Sequence, residues 1–160
     1  MEITNIYYAH AALKEKISYD VEELWAIALG PGKKLIQNQM IFRGTVDSCL
    51  VHPRDIFRFA FFNNASTLII AHSHPSGDLQ ASSEDIAFTK RLVKASLVFE
   101  IPILDHLICT RSGFSSFARE RWCRFKSTEQ TFLMAPDGHL INRDSEKELS
   151  RPPQFHHCEP

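Results

Sequence analysis

The stretch 68–99 constrains this chain more than any other, and its centre reads LIIAHSHPSGDLQASSEDIAFTKRL. An apolar run, Leu68-Ile69-Ile70-Ala71, ends in His72-Ser73-His74 and reads as a buried strand. Alternate side chains of a strand share a face, so His72 and His74 project the same way. Pro75-Ser76-Gly77-Asp78 is a cluster of turn formers that reverses the chain. Ser82 then has the character of a helix N-cap, with Asp85 three residues on, and an amphipathic helix is expected over 83–99. Asp85 falls in its first turn, where the returning chain can bring the carboxylate beside the two imidazoles. Two histidines and a carboxylate, with a fourth position left for water, make the ligand pattern of a catalytic zinc site. Each half alone has a plainer meaning. His-x-His at a strand end also suits hydrogen-bonded surface residues, and Ser-x-x-Asp is also an ordinary helix start. The two together, joined across one short turn, are much harder to obtain by coincidence.

Upstream, Ile3, Ile6, Tyr7, His10, Leu13 and Ile17 recur at helical spacing, so a helix is expected over 3–17, with His10 on its face or in the core and not a ligand. The run VEELWAIAL, 21–29, reads as a buried strand, and Gly30-Pro31-Gly32 as a hairpin turn into a second strand over 35–42. The sequence G-P-G-K-K lacks the spacing of a phosphate-binding loop. After a strand or loop through 43–51, Pro53 opens a helix so rich in Phe that it is expected to lie sandwiched in the core. On the helix over 83–99, Ile86, Thr89, Val93, Ser96 and Leu97 form the expected buried face, with Glu84, Lys90, Arg91 and Lys94 left for solvent. A strand over 101–109 contains Asp105-His106, which reads as a hydrogen-bonded core pair; its alternative role is to support a metal ligand from behind. The chain then turns at Arg111-Ser112-Gly113 and returns through FSSF. A small hairpin is expected around Asp137-Gly138 and a flexible polar tail over 143–160, whose His156, His157 and Cys158 are not expected to form an ordered site.

At 160 residues, with 44% hydrophobic and 23% charged, the chain can bury one sizeable core. The organisation expected is an N-terminal helix in 1–20, a catalytic domain over 21–122, an extension over 123–142 and a tail over 143–160. With 18 basic residues against 19 acidic, it presents no global field for nucleic acid or an anionic membrane. Cys49, Cys109, Cys123 and Cys158 show no C-x-x-C pair and read as reduced thiols. The N-terminus has no signal pattern and no run is long enough to cross a bilayer, so a cytoplasmic location is expected. The alternation of elements indicates an α/β domain, a mixed β-sheet flanked by helices.

H-x-H, seven residues, then S-x-x-D resembles the signature of the JAMM (MPN-type) metalloproteases, and AHSHPSGDLQASSEDIAFT is similar to their RadC-like bacterial branch. Similarity extends to GTVDSCLVHPRDIF at 44–57 and to ILDHLICTRSGFSSFARE at 103–120, so that about residues 20 to 120 are covered. The resemblance implies the JAMM/MPN fold, akin to that of cytidine deaminases, although the combined H-x-E and P-C-x-x-C signature of a zinc deaminase does not occur. It implies Zn²⁺ on His72, His74 and Asp85, an oxyanion contact from Ser82, and an upstream Glu as general base. The RadC-like pattern places that base on Glu22, the wider JAMM pattern on Glu23. Neighbours on a strand face opposite ways, so only one serves, and Glu22 is preferred. Three departures are evident: Ser73 stands for the usual Asn, Ala81 for a common Pro, and Asp55 for a usual Glu. The implied activity is hydrolysis of an amide bond in a protein or peptide substrate. The alternatives are a non-catalytic MPN-type binding module and, more weakly, a DNA-repair-associated protein. Against the last stand the charge balance and the lack of room before residue 20 for the helical DNA-binding module that RadC-like proteins often carry.

Overall fold

Strands that are apolar on both faces belong in the middle of a sheet covered on both sides, and the two most apolar strands of this chain lie near that middle. The structure, a computed structural model, describes residues 1–44 and 51–125. In them, strands β1 (Glu22–Leu29), β2 (Leu35–Gly44), β3 (Thr67–Ser73), β4 (Ile103–Thr110) and β5 (Gly113–Ser116) form one sheet of order β2-β1-β3-β4-β5. β3 and β4 pair in parallel; every other neighbouring pair is antiparallel. A parallel pair needs a long crossover, and helix α3 (Ser83–Phe99) supplies it. Helix α1 (Ile6–Leu13) covers one face, where Ile3, Ile6 and Leu13 pack on Ile27, Ile69 and Leu107. Helix α2 (Pro53–Phe62) and α3 cover the other, where Phe57, Phe88 and Leu92 join Leu24, Ile70 and Ile108. Each such side chain contributes about 1.5–3 kcal/mol when fully buried, so both layers are needed. This is the α/β mixed sheet expected, and it agrees with the JAMM/MPN fold that the resemblance implies. Among the described residues no helix is long and apolar enough to cross a membrane.

Several elements differ from expectation for local reasons. α1 is shorter than 3–17 because the Asn5 side chain accepts from the backbone N–H groups of Tyr7 and Tyr8 and fixes its start. Ile3 instead donates its N–H to the Lys33 carbonyl, tying the chain's beginning to the turn before β2. That turn is a short 3-10 segment, Pro31–Lys33, with positive φ at Gly32 and Lys33. β2 runs on to Gly44, and β4 starts two residues later than expected. α2 is not sandwiched: Ile56, Phe57, Phe59 and Ala60 are buried, but Phe61 and Phe62 are exposed, because the helix has the sheet on one side only. The buried face of α3 is rotated as well. It keeps the expected Thr89 and Ser96 and adds Phe88 and Leu92, while Ile86 and Val93 are half-buried and Leu97 is exposed. His10 stacks on Phe114 at 4.5 Å between ring centroids, a helix-face histidine as expected. Cys109 and Cys123 are buried free thiols, and burial pushes Cys109 up to about 12. Cys49, the hairpin at Asp137-Gly138 and the tail with His156, His157 and Cys158 lie outside the described residues.

Asp105 and His106 are both buried, yet they are not partners through their side chains. A register shift opposite Leu68/Ile69 sets β4 so that the His106 ring faces α3, and the adjacent Asp105 points elsewhere. The Asp105 carboxylate accepts from the backbone N–H groups of His106 (2.7 Å) and Ala118 (3.0 Å) and from the Ser116 hydroxyl. Burial raises its pKa to about 6 in spite of those three donors. A raised carboxyl contributes no penalty below its unfolded pKa of ~3.9 and lowers stability as pH rises through the folded value. An Asp105→Asn variant keeps an acceptor and removes the titration. Chemical denaturation at about pH 4 and about pH 7 should therefore show wild type losing about 2 kcal/mol relative to that variant. A difference that does not change with pH would contradict the assignment.

Candidate metal centre

The site forms at the carboxyl end of β3, where the chain leaves the sheet for its crossover. His72 is the next-to-last residue of β3, and His74 follows immediately, its backbone N–H held by the Cys109 carbonyl at 2.9 Å. Gly77 closes the turn with φ +81, and the Asp78 carbonyl lies 2.8 Å from His74 Nδ1. Ser82 caps α3: its Oγ accepts from the Asp85 N–H at 3.1 Å, and its own N–H donates to Asp85 Oδ2 at 2.9 Å. The reciprocal cap aims the Asp85 carboxylate back at β3. Asp85 Oδ1 lies 3.3 Å from His72 Nε2, Asp85 Oδ2 lies 3.4 Å from His74 Nε2, and the two Nε2 atoms are 2.8 Å apart. The three residues singled out by spacing are thus brought together, and they are the one group among the described residues whose atoms can hold a metal ion.

The tautomers follow from the surrounding partners. The Asp85 carbonyl can only accept, so the Thr89 hydroxyl, 2.7 Å away, donates to it. That leaves Thr89 Oγ1 an acceptor for His106 Nδ1–H at 2.6 Å. His106 Nε2 is then bare and accepts from His72 Nδ1–H at 2.8 Å. Burial, reinforced by neighbouring His72, drives the His106 pKa well down, in keeping with a neutral ring. His74 Nδ1 likewise donates to the Asp78 carbonyl. Both candidate ligand histidines therefore present an unprotonated Nε2 to the Asp85 carboxylate. Three lone-pair donors facing one point repel unless a cation lies between them. A tetrahedral metal with bonds of about 2.0–2.1 Å spaces its donors about 3.3 Å apart, close to two of the three distances found. Without a metal, a proton takes its place. The hydrogen bond to Asp85 raises the His74 pKa against the effect of burial, and the Asp78 carbonyl and Glu22 add to the rise. Burial pushes the Asp85 carboxyl up, but hydrogen bonds to His72, His74 and Ser82 outweigh it and hold the group well below the usual carboxylate range.

The register separates the two glutamates. Leu24 of β1 is directly opposite His72 of β3, so Glu22, two residues from Leu24, shares the face of the histidines. Glu22 and Glu23 both contribute to the lining of a cavity that holds His72 and Asp85, so it is the strand register and the side-chain partners that separate them. Glu23 points to the other face, where it is 3% exposed and Oε2 accepts from the Ser18 N–H (2.8 Å) and from Trp25 Nε1 (2.9 Å). Ser73 explains its own presence: Oγ accepts from the Glu23 N–H at 3.0 Å and donates to the Val21 carbonyl at 2.9 Å, stitching the start of β1 to β3. Ser82 Oγ, besides its capping bond, donates to Asp85 Oδ2 at 2.7 Å.

Two residues of the site were legible only in part. For His106 the sequence offers, beside a core pair with Asp105, support of a metal ligand from behind; its ring does stand behind His72, but its other partner is Thr89 and not Asp105. Thr89 was read only as a helix-face residue. Its available signal was the four-residue spacing from Asp85, at which a Thr hydroxyl reaches back to a helix carbonyl. The Thr89→Val variant removes the hydroxyl that sets the chain of tautomers. Titration with divalent ions by calorimetry should show tight binding of one ion per chain, weakened about 10–100-fold in Thr89→Val and abolished in Asp85→Ala. Unchanged affinity in Thr89→Val would show that the relay does not orient His72.

Comparison with known proteins gives this geometry a family. A family model described as the RadC-like JAB domain matches residues 3–122. A UPF0758 protein of Actinobacillus succinogenes is 34% identical over 122 residues, covering 76% of this chain and 56% of that protein. One from Symbiobacterium thermophilum is 42% identical over 101 residues, 63% of this chain and 43% of its own length. One from Gloeothece citriformis is 38% identical over 128 residues, 78% and 53%. The chain spans about half the length of these relatives. By the extent of the family match and the identity of these relatives, the chain belongs to the RadC-like JAB domain family.

Proposed function

We propose that this domain is a zinc-dependent metallopeptidase or isopeptidase that hydrolyses an amide bond in a protein or peptide. One observation carries the reading: two bare imidazole nitrogens and a carboxylate converge on one point, and a further carboxylate, Glu22, stands on the same face of the sheet. Zinc is the metal most in keeping with a donor set of two nitrogens and one carboxylate oxygen. Held by His72, His74 and Asp85, it would supply Lewis acidity and lower the pKa of a water towards ~7.

The remaining chemistry falls to the chain's own groups. The Glu22 carboxylate takes a proton from the attacking water and returns it to the leaving nitrogen. His106 and Thr89 keep His72 in the tautomer that presents Nε2. The Ser82 hydroxyl donates to the developing oxyanion, a contribution that often costs ~10²–10³ in rate when removed. To do so it must release Asp85 Oδ2, which it now contacts at 2.7 Å. That commitment is the observation favouring the second reading, a binding module that keeps the metal and does not turn over. The near-neutral balance of charge still argues against nucleic acid as the partner.

The two glutamates distinguish the assignments. Glu22→Gln should retain zinc and lose hydrolysis of a quenched-fluorescence peptide library by ~10²-fold or more, the scale of general acid–base catalysis. Glu23→Gln keeps an acceptor for Ser18 and Trp25, and its turnover should stay within a few-fold of wild type. The reverse outcome moves the role to Glu23. No hydrolysis by the zinc-loaded wild type under any condition favours the binding module.

A further inference from the structure

The cavity beside the metal centre has walls out of keeping with a site that handles only water and charge. It has a volume of about 260 Å³ and is lined by Leu24, Phe42, Ala87 and Phe88 as well as by His72 and Asp85. These apolar residues come from three elements whose placement is already set by the site. Leu24 is two residues from Glu22 on the same face of β1 and directly opposite His72. Phe88 follows Asp85 by one turn on the buried stripe of α3. Phe42 reaches in from β2, where it pairs with Leu24. The lining also carries charge: Glu22, Glu23 and Asp85 beside His72, and Glu84 and Arg91, which are exposed on α3, with the Arg91 guanidinium 6.0 Å from the Phe88 ring centroid. The cavity therefore joins an apolar wall, Leu24, Phe42, Ala87 and Phe88, to a carboxylate-bearing wall at the metal centre. It is smaller than the ~300–1,000 Å³ of pockets that enclose whole small-molecule ligands, and suits one side chain.

We propose that this cavity is a specificity subsite that receives a large aliphatic or aromatic side chain next to the amide being cut. The inference rests on the metallopeptidase reading and narrows its substrate class to peptides or proteins cut beside a residue such as Leu, Ile, Met or Phe. Because Glu22, His72 and Asp85 form part of the same lining, a carbonyl presented to the metal centre leaves its attached side chain within reach of Leu24 and Phe88. A glycine at that position leaves the apolar walls uncovered, and a charged residue loses its hydration there. Discrimination by hydrophobic pockets runs at about 10–200-fold for a methylene-sized difference, so a side chain of four carbons should be strongly preferred to none.

The test uses the full chain loaded with zinc and two probes that bind metal through the same group, glycine hydroxamate and leucine hydroxamate. Calorimetry on wild type should give at least about 10-fold tighter binding of the leucine probe. Ala87→Phe fills the cavity from an exposed helix position, and in it the ratio should collapse towards unity with zinc content unchanged. Phe42→Ala, on another element, widens the cavity and should shift preference from leucine to tryptophan hydroxamate. Equal binding of both probes by wild type overturns the subsite and leaves the metal reading standing. A ratio that survives Ala87→Phe shows that the side chain goes elsewhere and overturns the inference too. Failure of both probes to bind a zinc-loaded chain overturns the subsite together with the open metal position on which it depends.

Discussion

The structure depends most on one chain of hydrogen bonds that crosses from the sheet to α3. The Asp85 carbonyl accepts from Thr89, Thr89 from His106, and His106 from His72. Because a carbonyl cannot donate, the direction of every proton in the chain is set from that end. The consequence at the other end is a His72 ring with its Nε2 lone pair free. Were the direction reversed, His72 would carry a hydrogen on Nε2 and could not ligate. Four residues of three elements thus determine the state of one atom, and burial of His72 and His106 keeps water from offering an alternative partner.

Asp85 ties the same region together a second way. Its carboxylate caps α3 through the Ser82 N–H while facing both histidines. Helix start and ligand geometry are therefore coupled, and the turn 75–81 has little freedom in how it returns the chain. The parallel β3–β4 pairing makes this possible, since a crossover helix must begin where β3 ends. Ligands gathered at the carboxyl end of a strand, beside the first turn of the following helix, are a common outcome in α/β folds.

Much of this was legible in the sequence. The central strand, turn and helix were readable because three independent signals coincide there: an apolar run, turn formers and a capping box. The ends of α3 match the expected 83–99, since Ser82 and the left-handed Glu100 stop it on both sides. The side-chain faces were harder. The buried stripe of α3 includes Thr89 and Ser96 as expected but takes Phe88 and Leu92 in place of Ile86, Val93 and Leu97, because the stripe is pinned by Asp85 facing β3. Phe61 and Phe62 were assigned to the core on hydrophobicity, although only one side of α2 meets the sheet. Glu22 and Glu23 could not be separated by composition. The pairing of Leu24 with His72 separates their faces, and pairing across 48 residues of sequence is not a local property. The His106–His72 contact was hidden for the same reason.

X-ray absorption at the zinc edge of the zinc-loaded chain tests the central claim most directly. The account expects a four-coordinate ion with two imidazole nitrogens, one carboxylate oxygen and one oxygen not from protein, at about 2.0–2.2 Å. It expects the two-imidazole signature to be lost when His72 and His74 are both replaced. Sulfur in the coordination shell, or a fourth protein ligand closing it, would contradict a centre built from His72, His74 and Asp85 with an open position for chemistry.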